Sequence, residues 1–127
     1  MPLYHVWFAT KRRKWLLQGA IADLGERAFW DIAEKDNIRL IECKTAIDHA
    51  HLLLEADVDS ELPSIMKALK GKSARQVFQV VPDLKMDAHT THLWQRGYGW
   101  KHVPPGAERT VRHYIATQMD RLEKFMR

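Results

Sequence analysis

Two histidines stand two residues apart in the segment Asp48-His49-Ala50-His51, which runs directly into three leucines. Side chains two residues apart on a β-strand project from the same face, so both imidazoles would lie side by side. A pair of imidazoles on a stiff strand can bind a divalent metal ion. The alternative is two ordinary polar residues at the open end of a half-buried strand, because a short His-x-His match is a weak indicator by itself.

A second pair of residues that could take part in a reaction lies near the end of the chain, where Tyr114 and Gln118 are four residues apart. This spacing makes them neighbours on one face of a helix. They fall at the edge of the helix's apolar arc, beside Phe125, and would face the margin of a sheet, whereas His113 would face solvent. The arc consists of Val111, Ile115, Met119, Leu122 and Met126. The alternative for Tyr114 is an amphipathic core-edge residue whose hydroxyl reaches water.

Positive charge is concentrated in three places, although the net charge is only +4. Lys67, Gly71 and Arg75 would share one face of a helix, and Gly71 would let a phosphate backbone approach closely. Aromatic residues at 94, 98 and 100 surround Arg96 and could stack on unpaired bases. A solvated helix face and aromatic core pairs are the alternatives. The three groups are the run 11–14, the set Lys67, Lys70, Lys72 and Arg75, and the last third of the chain.

The pattern of apolar residues predicts the elements that must position these groups. Strands are expected over about 4–10, 38–44, 49–56, 92–95 and 98–102, and helices over about 20–35, 60–81 and 107–126. Ser60 would cap the second helix, with Pro63 in its first turn. The apolar residues of this helix that would face inward are Ile65, Leu69, Val77 and Val80. The order predicts an α+β fold, with an antiparallel sheet of about five strands and helices packed on its faces.

The chain of 127 residues has no repeat or flexible linker, so we expect one domain over residues 1–127. A single cysteine, Cys43, cannot form an intrachain disulfide, which suits a reducing cytoplasm. No apolar stretch approaches the roughly 20 residues of a membrane helix, and no signal-peptide pattern begins the sequence. We therefore expect a cytoplasmic protein without a membrane partner.

Taken together, these stretches resemble the single-tyrosine HUH transposases, the small single-strand DNA transposases of simple insertion sequences. The resemblance spans nearly the whole chain. The matching stretches are His5-Val6-Trp7, Asp48-His49-Ala50-His51-Leu52-Leu53, Leu69-Lys70-Gly71-Lys72-Ser73-Ala74-Arg75, His92-Leu93-Trp94-Gln95-Arg96-Gly97-Tyr98, and Tyr114-Ile115-Ala116-Thr117-Gln118.

The resemblance implies a ferredoxin-like, HUH endonuclease-type sandwich and a role for each matching residue. His49 and His51 would be metal ligands, Gln118 the third ligand, and Tyr114 the nucleophile, with Mg²⁺ or Mn²⁺ as cofactor. The partners would be single-stranded DNA hairpins at the element ends and a second copy of the chain, whose tyrosine helix can complete the site. DNA contacts are expected from Lys11, Arg12, Arg13, Lys67, Lys70, Lys72, Arg75 and Arg96.

Three features depart from the family pattern. Ala50 replaces a bulkier residue between the histidines, Ile47 stands where proline is common, and residues 100–106 look less family-like. None of them removes a predicted catalytic group.

The hypothesis that follows is metal-dependent cleavage and rejoining of single-stranded DNA through a 5′-phosphotyrosine. One alternative is a non-catalytic, domesticated module that binds single-stranded nucleic acid. Another is a metal-dependent hydrolase of small phosphoesters that uses His49 and His51, with His89, His92 or His102 as candidates for a further ligand. The hydrolase would lack an obvious carboxylate set for a two-metal centre, and it would leave the basic helix unexplained.

Overall fold

The computed structural model describes residues 2–87 and 92–118. The strands are β1 (Leu3–Ala9), β2 (Arg39–Ala46), β3 (His49–Glu55) and β4 (Gly99–Val103). The helices are α1 (Gly19–Lys35), α2 (Leu62–Val80), the single turn α3 (Leu84–Asp87) and α4 (Glu108–Ala116). Short 3₁₀ turns precede α1 and α2, at Lys11–Arg13 and Asp59–Glu61.

The strands form one antiparallel sheet in the order β2-β3-β1-β4. The predicted α+β class is confirmed, but the described residues form four strands and not about five. The expected strand at 92–95 is wrong, because that segment makes only an isolated bridge between Trp94 and Thr10. Leu93 and Trp94 are instead buried, and the Trp94 indole donates a hydrogen bond to the Ser73 hydroxyl of α2.

The two faces of the sheet carry different side chains because residues alternate along each strand. Tyr4, Val6 and Phe8 of β1 lie on the first face with Leu52 and Leu54 of β3, in the main core beneath α1 and α2. The second face carries His5 and Trp7 of β1 together with His49, His51 and Leu53 of β3. Helix α4 packs on this second face, where Ile115 is buried against Leu53 and Val103.

The helices follow the predicted ranges with local differences. Pro63 lies in the first turn of α2 as predicted, but the predicted cap is wrong: Glu61 holds the cap position, and Ser60 lies in the preceding 3₁₀ turn. Val80, predicted to face inward, is exposed. The last helix, predicted to run to Met126, ends in the structure at Ala116 with Thr117 as its C-cap, and the part of the prediction beyond Gln118 lies outside the described residues. Among the described helices, none has the length and apolar character needed to cross a membrane.

The hairpin between β2 and β3 is tighter than predicted, because Ala46 already pairs with His49. Ile47 occupies the left-handed region with φ 56°, where a residue with a side chain costs roughly 1–2 kcal/mol. Two backbone hydrogen bonds to Leu17 hold it, with N···O distances of 2.8 and 3.1 Å. The turn that presents Asp48 and His49 is therefore tied to the segment before α1.

Gly99 provides a test of the packing beside β1. A Cβ atom there would lie 2.3 Å from the ring of Trp7, its cross-strand partner. We expect Gly99→Ala to lower the free energy of unfolding by about 1–3 kcal/mol, since the indole must move out of a packed position. Gly71→Ala is the matched control, because nothing lies within 4 Å of its Cβ position inside α2. That change should stabilise the protein by about 0.5–1 kcal/mol. Urea unfolding measures both, and equal effects of the two substitutions would contradict the packing argument.

Tyr4 provides a test of the contacts that join β1 to β4 and the second 3₁₀ turn. Its hydroxyl donates to Asp59 Oδ1 at 2.5 Å, and His102 Nε2 lies 2.7 Å from the same oxygen. The hydrogen bond to Asp59, followed by burial, raises the pKa of Tyr4 to about 12.

Between pH 10 and 12 the unfolded chain releases this proton while the folded chain retains it, so stability should fall as the pH rises. The urea midpoint of the wild type should drop over this interval, and Tyr4→Phe should flatten the drop. Tyr98→Phe, which keeps Tyr4, should show the same drop in urea midpoint as the wild type. An unchanged slope in Tyr4→Phe would contradict the assignment.

Candidate active site

The two histidines of β3 lie side by side on the second face of the sheet. The ring centroids of His49 and His51 are 5.0 Å apart. Both rings line a cavity of about 260 Å³, together with Trp7, Phe8, Ala9 and Arg13. Ala50, between them, is fully buried on the first face, where its small side chain packs in the main core.

Asp48 orients His49 from the preceding position. Its Oδ1 atom lies 2.9 Å from His49 Nδ1, and its Oδ2 atom lies 3.5 Å from the guanidinium of Arg13. A carboxylate only accepts hydrogen bonds, so Nδ1 of His49 donates. The neutral ring then presents the lone pair of Nε2 to a ligand, an arrangement found around metal-bound histidines.

His51 is oriented by a third histidine, His5 of β1. His5 Nε2 lies 2.9 Å from His51 Nδ1. Burial, followed by the charge of Lys101, lowers the pKa of His5 to about 4. Burial, followed by the neighbouring His49 and His5, lowers the pKa of His51 to about 3. Both rings are therefore neutral near pH 7, the form in which imidazole binds metals.

Tyr114 lies beside these rings in the same chain. Helix α4 places its ring 5.9 Å from that of His51 and 6.0 Å from that of His5, both in edge-to-face contact. The side chain is 39% exposed, so its ring touches the site while part of it remains open to a substrate. The predicted position at the sheet margin agrees with this placement, and His113 is exposed as expected.

Gln118, the predicted third ligand, is buried one turn further along. Its side-chain amide donates to the carbonyl oxygen of Tyr114 at 2.9 Å. The described contacts do not join it to either histidine. Over residues 2–87 and 92–118, no three His, Cys, Asp or Glu side chains form a cluster that could hold a metal ion. Among the described residues, the side chains that fit a metal here are therefore the pair His49 and His51.

A much larger cleft, of about 1320 Å³, lies between α2 and residues 92–98. Among the described residues that line it, none is acidic and six are basic: Lys11, Lys67, Lys70, Arg75, Lys85 and Arg96. Five of the predicted DNA contacts, Lys11, Lys67, Lys70, Arg75 and Arg96, thus share one surface. We call this surface the basic cleft.

Two predicted DNA contacts have other partners. Lys70 Nζ donates to the carbonyl oxygens of Gln95 and Gly97, at 2.8 and 2.5 Å, and so holds the loop that forms the far wall of the cleft. Lys72 points away from the cleft and pairs with Asp36 beside the end of α1, at 2.6 Å. Adjacent positions on a helix diverge by about 100°, so Lys70 and Lys72, which are two positions apart, point to nearly opposite sides of α2.

The 3₁₀ turn Lys11–Arg13 joins the two surfaces. Lys11 lines the basic cleft, Arg13 lines the histidine cavity, and Arg12 is exposed between them. Arg12 and Arg13 both have positive φ angles, 58° and 53°. The turn is braced by hydrogen bonds from Lys11 N to Leu93 O and from Thr10 N to Asp48 O.

The aromatic residues around Arg96 belong mainly to the packed interior. Trp94 stacks on Phe29 in the main core, and Tyr98 packs against it. Trp100 lies 39% exposed on β4, where its ring contacts Tyr4. For Trp94 the core alternative is therefore correct.

Two further histidines that the hydrolase alternative invoked, His92 and His102, do not join His49 and His51. His92 lines the basic cleft, and His102 lies on the first face beside Tyr4. His89 lies outside the described residues. The placement of His92 and His102 weakens the alternative of a small-phosphoester hydrolase built on these side chains.

Sequence reasoning gave no role to His5, Asp48 or Lys85, which the structure places at the two surfaces. The alternation of His5 and Trp7 on β1 was a usable signal for His5. Its partner across the sheet, however, depends on strand register, which the sequence left open.

Comparisons with known proteins agree with the resemblance seen in the sequence. A profile of the family described as "Transposase IS200 like" matches residues 2–118. The ISDra2 transposase TnpA of Deinococcus radiodurans is 34% identical over 118 residues, which is 93% of this chain and 84% of that protein. The transposase for insertion sequence element IS200 of Salmonella typhimurium is 30% identical over 117 residues, 92% and 76% of the two chains.

Solved structures show the same fold. A crystal structure of a transposase candidate from Deinococcus radiodurans has a TM-score of 0.74 and 32% identity, covering 94% of this chain and 92% of the other. A REP-associated tyrosine transposase bound to a REP hairpin has a TM-score of 0.62, covering 91% and 65%; at 13% identity it shows likeness of fold alone. The chain belongs to the IS200-like transposase family and has its function in DNA transposition.

Proposed function

We propose that this transposase cuts and rejoins single-stranded DNA through a covalent bond between Tyr114 and a 5′-phosphate, with a divalent metal held at His49 and His51. The observation that carries the proposal is the meeting of Tyr114 with a pair of oriented imidazoles. The ring of Tyr114 lies 5.9 Å from that of His51, which lies 5.0 Å from that of His49.

The covalent step follows from the nature of the nucleophile. The Tyr114 Oη atom attacks the scissile phosphorus, the bond from phosphorus to the 3′-oxygen breaks, and a 5′-phosphotyrosine and a free 3′-hydroxyl result. The phenolic proton leaves to solvent or a base, and the departing 3′-oxygen takes up a proton. Because the new ester replaces the broken one, a second 3′-hydroxyl can reverse the reaction and reseal the strand without ATP.

His49 and His51 would hold Mg²⁺ or Mn²⁺, with Gln118 proposed as the third ligand. When bound, such an ion supplies Lewis-acid polarisation and orientation of the scissile phosphate. The chain's own contribution is positional: Asp48 and His5 direct the two rings, and α4 holds Tyr114 against them. This positioning supplies the alignment that in-line attack needs.

The basic cleft is the proposed site for the DNA hairpin. Its lining, which has six basic and no acidic side chains over residues 2–87 and 92–118, suits a phosphate backbone. One neighbour in fold carries a REP hairpin. The Lys11–Arg13 turn would lead a single strand from the cleft to the histidine cavity, since its first and last residues line the two surfaces.

The transposase is also proposed to act as a homodimer, as its family resemblance implies. Tyr114 is near His51 within one chain, so a site completed by residues of a single chain is compatible with the geometry. In a dimer, the tyrosine helix of one copy would complete the histidine site of the other copy.

The alternative is a domesticated module that binds single-stranded nucleic acid without cutting it. Such a module would need the basic cleft but would have no use for neutral imidazoles facing a tyrosine. The pairing of Asp48 with His49 and of His5 with His51 therefore favours the enzyme.

The covalent step is tested directly by adduct formation. Wild-type protein incubated with Mn²⁺ and hairpin-bearing single strands, including DNA that flanks its gene, should give a band of protein joined to DNA on a denaturing gel. Tyr114→Phe should give none, because the nucleophile is gone, and His49→Ala should reduce the band by about 100-fold or more through loss of a ligand. Tyr4→Phe, which removes a buried tyrosine hydroxyl on the first face of the sheet, is the control and should keep the band.

A mixture of Tyr114→Phe and His49→Ala chains extends the same assay. Recovery of the band would show that a dimer assembles a site from both copies, and its absence would assign the site to one chain. If wild-type protein binds the hairpins but forms no adduct with any of them, the binding-module alternative replaces the enzyme.

The basic cleft is tested by the salt dependence of hairpin binding. Lys67→Ala and Arg75→Ala should each weaken binding and reduce the slope of log Kd against log salt by about 0.7–0.9, the share of one phosphate contact. Among the described residues neither side chain forms an ion pair, so removing either one leaves no acidic partner without its ion pair. Lys72→Ala removes the same charge from the same helix but outside the cleft, and should leave the slope unchanged. Equal slopes for all three variants would place the DNA elsewhere.

A further inference from the structure

His5 makes a polar contact that the fold alone does not require. It is 5% exposed, on the face of β1 that carries Trp7, yet its Nε2 atom is directed at His51 Nδ1, 2.9 Å away. In the register of the sheet His5 faces Leu53 and is diagonal to His51. An apolar residue would fill this place with no buried nitrogen to satisfy.

The contact has a chemical consequence for His51. Two neutral imidazoles that share one hydrogen bond can be arranged in only two ways, since one nitrogen must donate and the other must accept. If His51 Nδ1 donates, its Nε2 atom keeps a lone pair that can bind a metal. If His5 Nε2 donates instead, His51 carries its hydrogen on Nε2 and cannot bind a metal there.

We propose that His5 is a positioning residue that accepts the Nδ1 hydrogen of His51 and so fixes His51 in the ring orientation and tautomer that bind a divalent metal through Nε2. His5 is not itself a ligand in this arrangement, because its Nε2 atom faces the other ring. The inference rests on the proposed metal site at His49 and His51. The site then has two equivalent positioning residues: Asp48 accepts the Nδ1 hydrogen of His49, and His5 accepts the Nδ1 hydrogen of His51.

The neighbours of His5 hold its ring in place. The indole of Trp7 meets it edge-on at a centroid distance of 5.2 Å, and the phenol of Tyr114 at 6.0 Å. The rings of His5 and His51 are tilted by only 31°, with their centroids 5.1 Å apart. The same ring that orients His51 therefore also packs against Tyr114, which links the metal-binding face to the nucleophile.

The first measurement uses the metal-free wild-type protein and needs no variant. Long-range proton–nitrogen NMR of the imidazoles shows which nitrogen of His51 carries the hydrogen. The proposal expects the Nδ1–H form of His51. A dominant Nε2–H form would overturn it, whatever the protein's activity.

The second measurement is the affinity for Mn²⁺, monitored by electron paramagnetic resonance with MnCl₂ as the only ligand. His5→Phe keeps a ring but removes the acceptor, and should weaken Mn²⁺ binding by about 10–100-fold. His5→Gln can place its amide oxygen near the position of Nε2, and should stay within about threefold of wild type as the conservative rescue. Leu3→Ala, which removes apolar packing on the same face of β1, is the control and should also stay near wild type.

Hairpin binding without metal separates this inference from the proposed function. All three variants should bind hairpins as the wild type does, because the basic cleft lies on the other side of the sheet. If His5→Phe binds both hairpins and Mn²⁺ like the wild type, the positioning role is wrong while the proposed enzyme stands. If the wild type itself binds no Mn²⁺, the metal site fails first, and the role of His5 fails with it.

Discussion

The antiparallel register of β1 with β3 is the constraint on which the site depends. Pairing His5 with Leu53 and Trp7 with His51 puts three imidazoles on one face and leaves the other face apolar for α1 and α2. A slip of one residue would turn the histidines of β3 into the main core and Leu52 and Leu54 out of it. The energetics of core burial therefore fix the site's geometry: the leucines that stabilise the first face hold the histidines on the second. The tight turn at Ile47, tied to Leu17, then fixes where Asp48 meets His49.

Much of this could be predicted from the chain, because it follows from local periodicity. The spacing of His49 and His51 sets a shared face once the segment is a strand, and the spacing of Tyr114 and Gln118 does the same on a helix. The structure agrees for the histidines, whereas α4 ends at Ala116, and Gln118, just beyond that end, is buried while Tyr114 is 39% exposed. Helix α1 and the β2–β3 hairpin follow from apolar patterns that are long and regular. The family resemblance added the expectation that the two pairs meet, which periodicity alone could not supply.

The remaining features depend on contacts between residues distant in sequence. Lys70 and Lys72 look equivalent along the chain, but the first binds the carbonyls of the 95–97 loop and the second pairs with α1. The segment 92–95 has the composition of a strand, yet the buried hydrogen bond from Trp94 to Ser73 makes it a packed loop, and the sheet has four strands. Likewise, the role of His5 depends on the register of β1 and β3, which brings its ring to His51. Long-range packing decides each of these cases, and single-sequence patterns do not record it.

The central claim is that the tyrosine facing these histidines forms the covalent bond to DNA. The most direct measurement is to digest the trapped complex of wild-type protein and cleaved single strand, and to locate the attached nucleotide by mass spectrometry. We expect a 5′-phosphonucleotide on the peptide that contains Tyr114, together with a released strand ending in a 3′-hydroxyl. A nucleotide attached to any other residue, or a released strand ending in a 3′-phosphate, would contradict it.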